Sequence, residues 1–203
     1  MVEKNIYLLR HGQIENPDKK KRFIGQADFT LSEEGKNNYE RLSNFFLNKQ
    51  IKEIYSSDLK RSRESAKIIA SKLNLKVNEI NSFREISMGL WDGKTFEEIK
   101  NSYPEEFDLR GIDIYNFKPP LGESFLEVEN RALPVFIEIL KKSQGNLIIV
   151  GHAGLNRVLI KNILDFPEKN IFLINQDYCC INNLKYLSSK LTIKTLNNTI
   201  IGG

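Results

Sequence analysis

Cysteine and long apolar runs are scarce in this sequence, and their scarcity excludes several classes of protein. Its two cysteines, Cys179 and Cys180, are adjacent in a strand-like stretch of a chain of 203 residues. Neighbouring side chains on a strand point to opposite faces, so a disulfide between them would be strained. We therefore expect two reduced packing residues and no disulfide framework.

The longest apolar runs are far shorter than a membrane-spanning helix requires. No segment approaches 18 apolar residues, and the apolar run near the N-terminus is too short for a signal peptide. The sequence therefore predicts no membrane association and a cytoplasmic protein.

Charge of one sign is not concentrated over most of the chain. The net charge is only +4, from 30 basic and 26 acidic residues that are largely interleaved. Interleaved charges are typical of a solvated surface, so we expect no nucleic-acid partner. The exception is the run Lys19, Lys20, Lys21 and Arg22. These residues are either solvated surface or the source of a local positive field that attracts anionic substrates.

Short apolar strands alternate with amphipathic helices, which predicts one three-layer α/β/α domain over residues 1–203. The sheet is expected to be mostly parallel with helices on both faces. Helices are predicted to begin at Ser32, Asp58 and Ser124, and strands to lie at 6–9, 51–56, 75–80 and 147–150. A helix at 155–164 and two antiparallel strands, at 179–187 and 191–196, close the chain. The irregular segment 85–122, with one helical piece near 95–103, is expected to cap the site.

The chain has only two histidines, and both follow the end of a predicted buried strand. His11 stands in LLRHG and His152 in IVGHAG. Ligand sites of open α/β sheets form at the carboxyl ends of strands, so the two rings are expected to converge in one crevice. This shared context favours a functional over a structural role for the pair.

A metal site is disfavoured, because a catalytic zinc usually needs three protein ligands and no Cys or carboxylate stands at ligand spacing to either ring. Arginines accompany the histidines instead: Arg10 precedes His11, and Arg61 lies at the start of a helix after a strand. Guanidinium groups suit phosphate because they donate paired hydrogen bonds in a fixed plane. No metal or cofactor is predicted.

Six motifs in this order resemble the histidine phosphatase (phosphoglycerate mutase-like) superfamily: RHGQIEN, RFIGQADFTLSEEG, IYSSDLKRSRESA, REISMGLWDG, PPLGESF followed by Arg131, and IVGHAG. The resemblance implies a phosphoglycerate mutase-like fold and a phosphomonoesterase that acts on a small phosphate ester. It implies that His11 is the nucleophile, that Glu85 gives a proton to the leaving oxygen, and that His152 helps to bind the phosphate. Phosphate- or substrate-binding positions carried over in the same way are Arg10, Asn16, Arg61, Arg22, Gly25 and Ala153. Members of the family are often dimers, so a homodimer is also expected.

Several functions within the superfamily stay open at this point. The chain most resembles the α-ribazole-5′-phosphate phosphatases of cobalamin biosynthesis in the segments MGLWDGKTFEEI, YPEEF and PPLGESF. Metal-independent phosphoserine phosphatases and fructose-2,6-bisphosphatase-like enzymes share much of this sequence. A phosphoglycerate mutase would have an arginine-rich stretch after the catalytic glutamate, where this chain has ISMGLWDG. An inactive phospho-ligand-binding module would be expected to lack one of His11, Glu85 or His152.

Two departures from the family pattern fall near the substrate end of the predicted site. Gln13 stands where members often have Glu or Ser, and the chain ends in NNTIIGG where many have an Asn, x, x, His tail. Substrate specificity is therefore less constrained by the sequence than the chemistry is.

Overall fold

The computed structural model describes residues 3–16 and 18–200 and contains one six-stranded sheet. The strands are β1 (Lys4–Arg10), β2 (Ile51–Ser56), β3 (Val77–Glu79), β4 (Asn146–Gly151), β5 (Ile181–Leu187) and β6 (Lys190–Asn198). Their order across the sheet is β3-β2-β4-β1-β5-β6. The first three pairings are parallel and the last two antiparallel. The predicted mostly parallel α/β fold is confirmed.

Six α-helices accompany the strands in the described residues: α1 (Glu33–Ser43), α2 (Lys60–Leu73), α3 (Phe96–Ser102), α4 (Pro104–Ile112), α5 (Phe125–Lys142) and α6 (Ala153–Leu164). Alternate side chains of β1 point to opposite faces of the sheet. Ile6 and Leu8 pack in a core with α5 and α6, whereas Tyr7 and Leu9 pack in a second core with α1 and α2. The sheet is therefore buried on both faces, which explains its continuous apolar strands.

Local sequence explains where several helices begin. Ser32 accepts a hydrogen bond from the Gly35 N–H at the start of α1, and Ser124 forms a capping box with Glu127 at the start of α5. Asp58, predicted as a cap, does not cap α2: its carboxylate pairs with both Nε and Nη2 of Arg84, and the helix begins after Leu59. Arg84 therefore binds the carboxylate that was expected to cap α2, and Asp28 Oδ1 accepts the Lys60 N–H at the start of the helix at 2.8 Å.

Other element bounds also differ from the sequence prediction. The third strand covers only Val77–Glu79, and the last helix starts at Ala153, two residues earlier than expected. Cys179 and Cys180 are free and buried, as expected, but they lie in a turn before β5 and not within a strand. No helix in the described part of the chain has both the length and the apolar character needed to cross a membrane.

The segment 85–122 contains α3, α4 and a short 3-10 helix at Gly89–Trp91. A small apolar cluster holds it together, with Trp91 and Ile99 from the segment against Phe23 from the loop after β1. The Phe23 and Trp91 rings are 5.2 Å apart between centroids. This packing places the segment beside the carboxyl ends of β1 and β4.

Candidate active site

The two histidines meet at the carboxyl edge of the sheet. β1 and β4 are parallel neighbours, with Arg10 opposite Gly151, and each histidine is the next residue after its strand. The imidazole centroids of His11 and His152 lie 5.2 Å apart, and both side chains are buried. The structure thus brings together the two rings that the sequence placed at the ends of separate strands.

The geometry around His11 leaves one ring nitrogen available as a nucleophile. Burial and the guanidinium groups of Arg61 and Arg10 hold the pKa of His11 well below its usual range, so the ring is neutral at pH 7. Nδ1 lies 2.7 Å from the Gly12 carbonyl oxygen, which can only accept a hydrogen bond. The single ring proton is therefore on Nδ1, and Nε2 carries a free lone pair.

Ser57 holds His152 in the same tautomer as His11. Burial, followed by the charge of Arg61, lowers the pKa of His152 well below its usual range. The Ser57 hydroxyl lies 2.6 Å from His152 Nε2 and accepts the Leu59 N–H at 3.4 Å. Among the described residues the hydroxyl has no other acceptor, so it donates to Nε2. The ring proton is then on Nδ1.

Two arginines are fixed by backbone carbonyl groups. Arg61, in the first turn of α2, donates from Nη1 to Ala27 and from Nη2 to Gly25, at 2.8 and 2.6 Å. Arg10 donates from Nη1 to the Gln176 carbonyl at 2.6 Å, and its guanidinium lies 3.8 Å from the centroid of the Tyr178 ring. Each of these contacts leaves the Nε–H of its arginine free.

Buried N–H donors without a protein partner are concentrated at this place. Only four side-chain nitrogens in the described residues are both buried and unpaired, and three of them are Arg10 Nε, Arg61 Nε and His152 Nδ1. The fourth is Trp91 Nε1, in the neighbouring apolar cluster. Buried donors normally find an acceptor. Three such groups around a neutral imidazole can surround an oxyanion and stabilise charge on it.

Glu85 faces the first turn of α6. Its Oε2 accepts the Gly154 N–H at 3.0 Å, and its Oε1 accepts the Leu155 and Ile86 N–H groups at 3.1 and 3.0 Å. Carboxylates are favoured at helix N-termini by the free N–H groups and the helix dipole. A Cβ atom at Gly154 would overlap Oε1, so glycine is required for this close approach.

A cavity of about 200 Å³ opens beside this cluster. Five of the residues nominated from the sequence line it: Arg10, Arg22, Gly25, Glu85 and Ala153. Three more nominated residues adjoin the cavity. His11 follows Arg10 in the chain, His152 precedes Ala153, and Arg61 donates a hydrogen bond to the Gly25 carbonyl. Gly25 has φ +49° and no room for a Cβ atom beside Asp92, which explains glycine there.

The structure does not bring Asn16 into this cluster. Its side-chain amide donates to the Lys20 carbonyl at 3.1 Å, and its oxygen accepts from Arg22 Nε at 3.4 Å. Asn16 lines a second, open cavity together with Lys19, Lys20 and Lys21. Arg22 lines both cavities. The loop is closed by its own hydrogen bonds, and a phosphate contact by Asn16 stays a prediction.

Some residues around the site were not nominated from the sequence. Ser57 sets the His152 tautomer, and Tyr178 stacks on Arg10. Ser57 stood inside a recognised motif, but no sequence signal distinguished Tyr178.

A second unassigned feature is an ion pair behind Glu85. Arg131 donates from Nε and Nη2 to the Glu123 carboxylate at 2.7 and 3.0 Å. It also donates to the carbonyls of Ser82, Arg84 and Glu85. Glu123 in turn accepts the Ser87 N–H at 2.9 Å. This pair, here called the Glu123–Arg131 clamp, ties α5 to the segment that carries Glu85.

No group of three or more His, Cys, Asp or Glu side chains in residues 3–16 and 18–200 is placed to hold a metal ion. The positive groups of the cluster are the two guanidiniums and the N–H donors described above. These groups can stabilise an anion by themselves.

Comparison with known proteins supplies a family. The family model described as "Histidine phosphatase superfamily (branch 1)" matches residues 6–199. A bullfrog (Aquarana catesbeiana) 6-phosphofructo-2-kinase/fructose-2,6-bisphosphatase is 32% identical over 169 residues, which cover 81% of this chain and 34% of that protein. The chain thus spans about a third of the length of the curated relatives it matches.

Solved structures share the whole fold. A mycobacterial glucosyl-3-phosphoglycerate phosphatase superposes with a TM-score of 0.85 at 24% identity, covering 97% of this chain and 99% of the other. An α-ribazole phosphatase from Shigella flexneri gives a TM-score of 0.87 at 24% identity, covering 98% of both chains. At this level of identity the likeness shows a common fold.

Proposed function

Because the chain belongs to the histidine phosphatase superfamily, we propose that it is a phosphomonoesterase that hydrolyses a small phosphorylated metabolite through a covalent phosphohistidine on His11. The observation that carries the proposal is the set of unpaired N–H donors on Arg10, Arg61 and His152 beside the neutral ring of His11. A phosphoryl group offers the oxygen acceptors that these donors lack.

In the first step, His11 Nε2 attacks phosphorus and the bond from phosphorus to the ester oxygen breaks. Nucleophilic attack needs the neutral imidazole that burial and the two arginines maintain. Glu85 in its acid form gives a proton to the leaving oxygen. Arg10, Arg61 and His152 hold the charge that spreads over the equatorial phosphoryl oxygens.

In the second step, water attacks the phosphohistidine and the bond between nitrogen and phosphorus breaks. Glu85, now a carboxylate, takes a proton from the water. The products are inorganic phosphate and a neutral His11, and Glu85 is again in its acid form. Each residue therefore returns to its starting state, and no metal enters the cycle.

The natural substrate is the less constrained part of the proposal. α-Ribazole 5′-phosphate is the substrate that the motifs around Trp91 and Gly122 favour, and fructose 2,6-bisphosphate and phosphoserine are the alternatives. Support for the bisphosphate comes from the curated relatives at 32 to 34% identity. A homodimer and a cytoplasmic location also stay predictions.

The experiment is phosphate release by the purified protein in excess chelator, from a panel of these three esters, 3-phosphoglycerate and p-nitrophenyl phosphate. We expect release from at least one ester and none by His11→Ala. Rapid acid-free quenching should trap a phosphoryl group on the peptide that contains His11. Since the chain has only two histidines, peptide mapping separates His11 from His152.

Circular dichroism of the His11→Ala protein is the control for folding. Wild-type turnover by a folded His11→Ala protein would overturn the phosphohistidine mechanism. Interconversion of phosphoglycerates without net phosphate release would assign the mutase reaction instead. Binding of esters without either reaction would assign the binding module.

A further inference from the structure

Three amide side chains are buried together beside Arg10, although the mechanism above uses none of them. They are Asn156 of α6, Gln176 of the segment 174–180, and Asn182 of β5, and they are here called the amide cluster. Asn156 and Asn182 are completely buried, and Gln176 is 3% exposed. Burial of an amide is unfavourable unless its donors and acceptors find partners. Three such groups at one place therefore call for a physical explanation.

Gln176 and Asn182 form a reciprocal pair. Gln176 Nε2 donates to Asn182 Oδ1, and Asn182 Nδ2 donates to Gln176 Oε1, both at 2.9 Å. Gln176 Nε2 also donates to the Asn175 carbonyl at 2.7 Å, and Asn182 Nδ2 to the Leu8 carbonyl at 2.9 Å. Asn182 Oδ1 accepts the Asn197 N–H at 3.0 Å. The pair thus joins β1, β5 and β6 to a stretch of chain around Gln176 that belongs to no helix or strand.

Asn156 completes the amide cluster from the side of α6. Its Nδ2 donates to Gln176 Oε1 at 3.0 Å. Gln176 therefore uses both of its amide hydrogens and both acceptor positions of its side-chain oxygen. Within the cluster, only Asn156 Oδ1 has no partner among the described residues. A buried network with its polar groups paired is rigid, so it holds the main chain at Gln176 in one position.

The Gln176 carbonyl is the group through which the amide cluster reaches the active site. It accepts a hydrogen bond from Arg10 Nη1 at 2.6 Å, and the Arg10 guanidinium makes no other hydrogen bond within the described residues. The ring of Tyr178, two residues later, covers the same guanidinium at 3.8 Å. Both contacts come from the segment 174–180. The position of this segment therefore decides where the unpaired Nε–H of Arg10 points.

We propose that Asn156, Gln176 and Asn182 are positioning residues for Arg10, which they hold through the Gln176 carbonyl with its Nε–H directed at the phosphoryl group. This inference rests on the proposed phosphatase function and adds to it. A donor stabilises the transferring group only when it is already aimed at the charged oxygens, and a displacement of about 1 Å is costly. None of the three amides lines the cavity beside His11. Their loss should therefore weaken phosphoryl binding only while Arg10 is present.

Asn182→Leu tests the amide cluster, because leucine has nearly the shape of asparagine and makes no side-chain hydrogen bond. The probe is orthovanadate, an analogue of the transferring phosphoryl group, and its Kd is measured by titration calorimetry. We expect Asn182→Leu to raise the Kd at least about tenfold, the effect of one charge-assisted hydrogen bond. Unfolded protein lowers the number of binding sites and leaves the Kd of the folded fraction unchanged. A loss of folded protein alone would therefore not produce this result.

The same substitution in an Arg10→Met protein separates an effect through Arg10 from an effect on the rest of the site. In that background, Asn182→Leu should change the vanadate Kd by less than about twofold, because two changes that act through one group are not additive. An equal rise in both backgrounds would overturn the proposal. Asn156→Leu removes one hydrogen bond of the cluster and serves if Asn182→Leu does not fold. It should show the same dependence on Arg10 with a smaller rise.

Asn146→Leu is the matched control. Asn146 donates to the Lys49 carbonyl at 2.7 Å and accepts the Asn5 N–H at 2.8 Å, but it lies at the amino end of β4, away from His11. Urea unfolding should show a loss of stability for Asn146→Leu and Asn182→Leu, whereas only Asn182→Leu should raise the vanadate Kd.

Two further results would contradict the proposal in different ways. An unchanged Kd in folded Asn182→Leu and Asn156→Leu proteins would overturn the positioning role, while phosphate release that depends on His11 would leave the proposed phosphatase function standing. Failure of the wild-type protein to bind vanadate would count against the phosphatase function itself, and the positioning role would be overturned with it.

Discussion

Replacing Arg131 with methionine should impair the reaction through Glu85. The Arg131 guanidinium donates to the backbone carbonyl of Glu85 and makes no hydrogen bond to its carboxyl group. Arg131 donates to the Glu123 carboxylate and to the carbonyls of Ser82, Arg84 and Glu85. Arg131→Met removes all of these bonds at once. Because both partners of the clamp are about a fifth exposed, water replaces part of the loss, and we expect roughly 2–3 kcal/mol of lost stability.

The kinetic signature depends on the leaving group. An alkyl phosphate expels an alkoxide that needs the proton from Glu85, whereas p-nitrophenyl phosphate expels a stable anion that does not. Glu85→Gln should therefore lower kcat/KM for glycerol 3-phosphate by about 10² to 10⁴ and affect p-nitrophenyl phosphate far less. Arg131→Met should show the same dependence on the leaving group, with kcat/KM for glycerol 3-phosphate reduced by about 10². The reason is that a carboxyl group displaced by about 1 Å transfers its proton poorly.

Steady-state kinetics on the two esters, with urea unfolding of each variant, measure both effects. Lys161→Met is the matched control, since it breaks an ion pair between α6 and Glu129 of α5 away from Glu85. It should lower stability but reduce both kcat/KM values equally. If Arg131→Met also reduced both equally, the clamp would only stabilise the fold. If Glu85→Gln showed no dependence on the leaving group, Glu85 would not be the acid.

Three further outcomes are expected. Full activity should persist in excess chelator, and activity that disappears and returns with zinc or magnesium would contradict the arginine-based site. Because the pKa of the buried His11 is lowered in the folded state, the unfolded chain binds a proton below about pH 6.5 that the native chain does not. The free energy of unfolding should therefore decrease as the pH is lowered, by up to about 1.4 kcal/mol per pH unit for this histidine. Urea unfolding at pH 7.5 and 5.5 should show a smaller fall for His11→Asn, and an equal fall would refute the neutral ring. Gly25→Ala should lower the free energy of unfolding in urea by roughly 1–3 kcal/mol, because φ is +49° and Asp92 blocks the Cβ position. Gly111→Ala is the control, since Gly111 has open space around it and the substitution should cause no such loss. Similar losses for the two variants would contradict this account.

Local sequence patterns predicted most of the regular elements. Ser32 and Ser124 cap their helices as expected because a capping bond joins residues only three apart. The helix α4 was not predicted. None of its residues is fully buried, so it carries no strong apolar stripe. Asp58 was assigned to the wrong partner because Arg84, which binds it, is 26 residues away in sequence.

The convergence of the histidines also followed from the sequence, since parallel strands end at the same edge of a sheet. Their protonation did not. The tautomer of His152 depends on Ser57, 95 residues away, and the lowered pKa of His11 depends on burial and on Arg61. Burial and long-range hydrogen bonds arise only when the chain is folded.

Local sequence is sufficient to predict the α/β architecture, the two histidines at the strand ends and the arginines beside them. Apolar periodicity, helix caps and motif spacing are local properties, so they can be read along the chain. The folded structure alone shows which donors remain unpaired around His11 and how the Glu123–Arg131 clamp holds Glu85. Both depend on distances between residues far apart in sequence. The packing of α5 and α6 on the sheet, and of segment 85–122 beside its carboxyl edge, sets those distances.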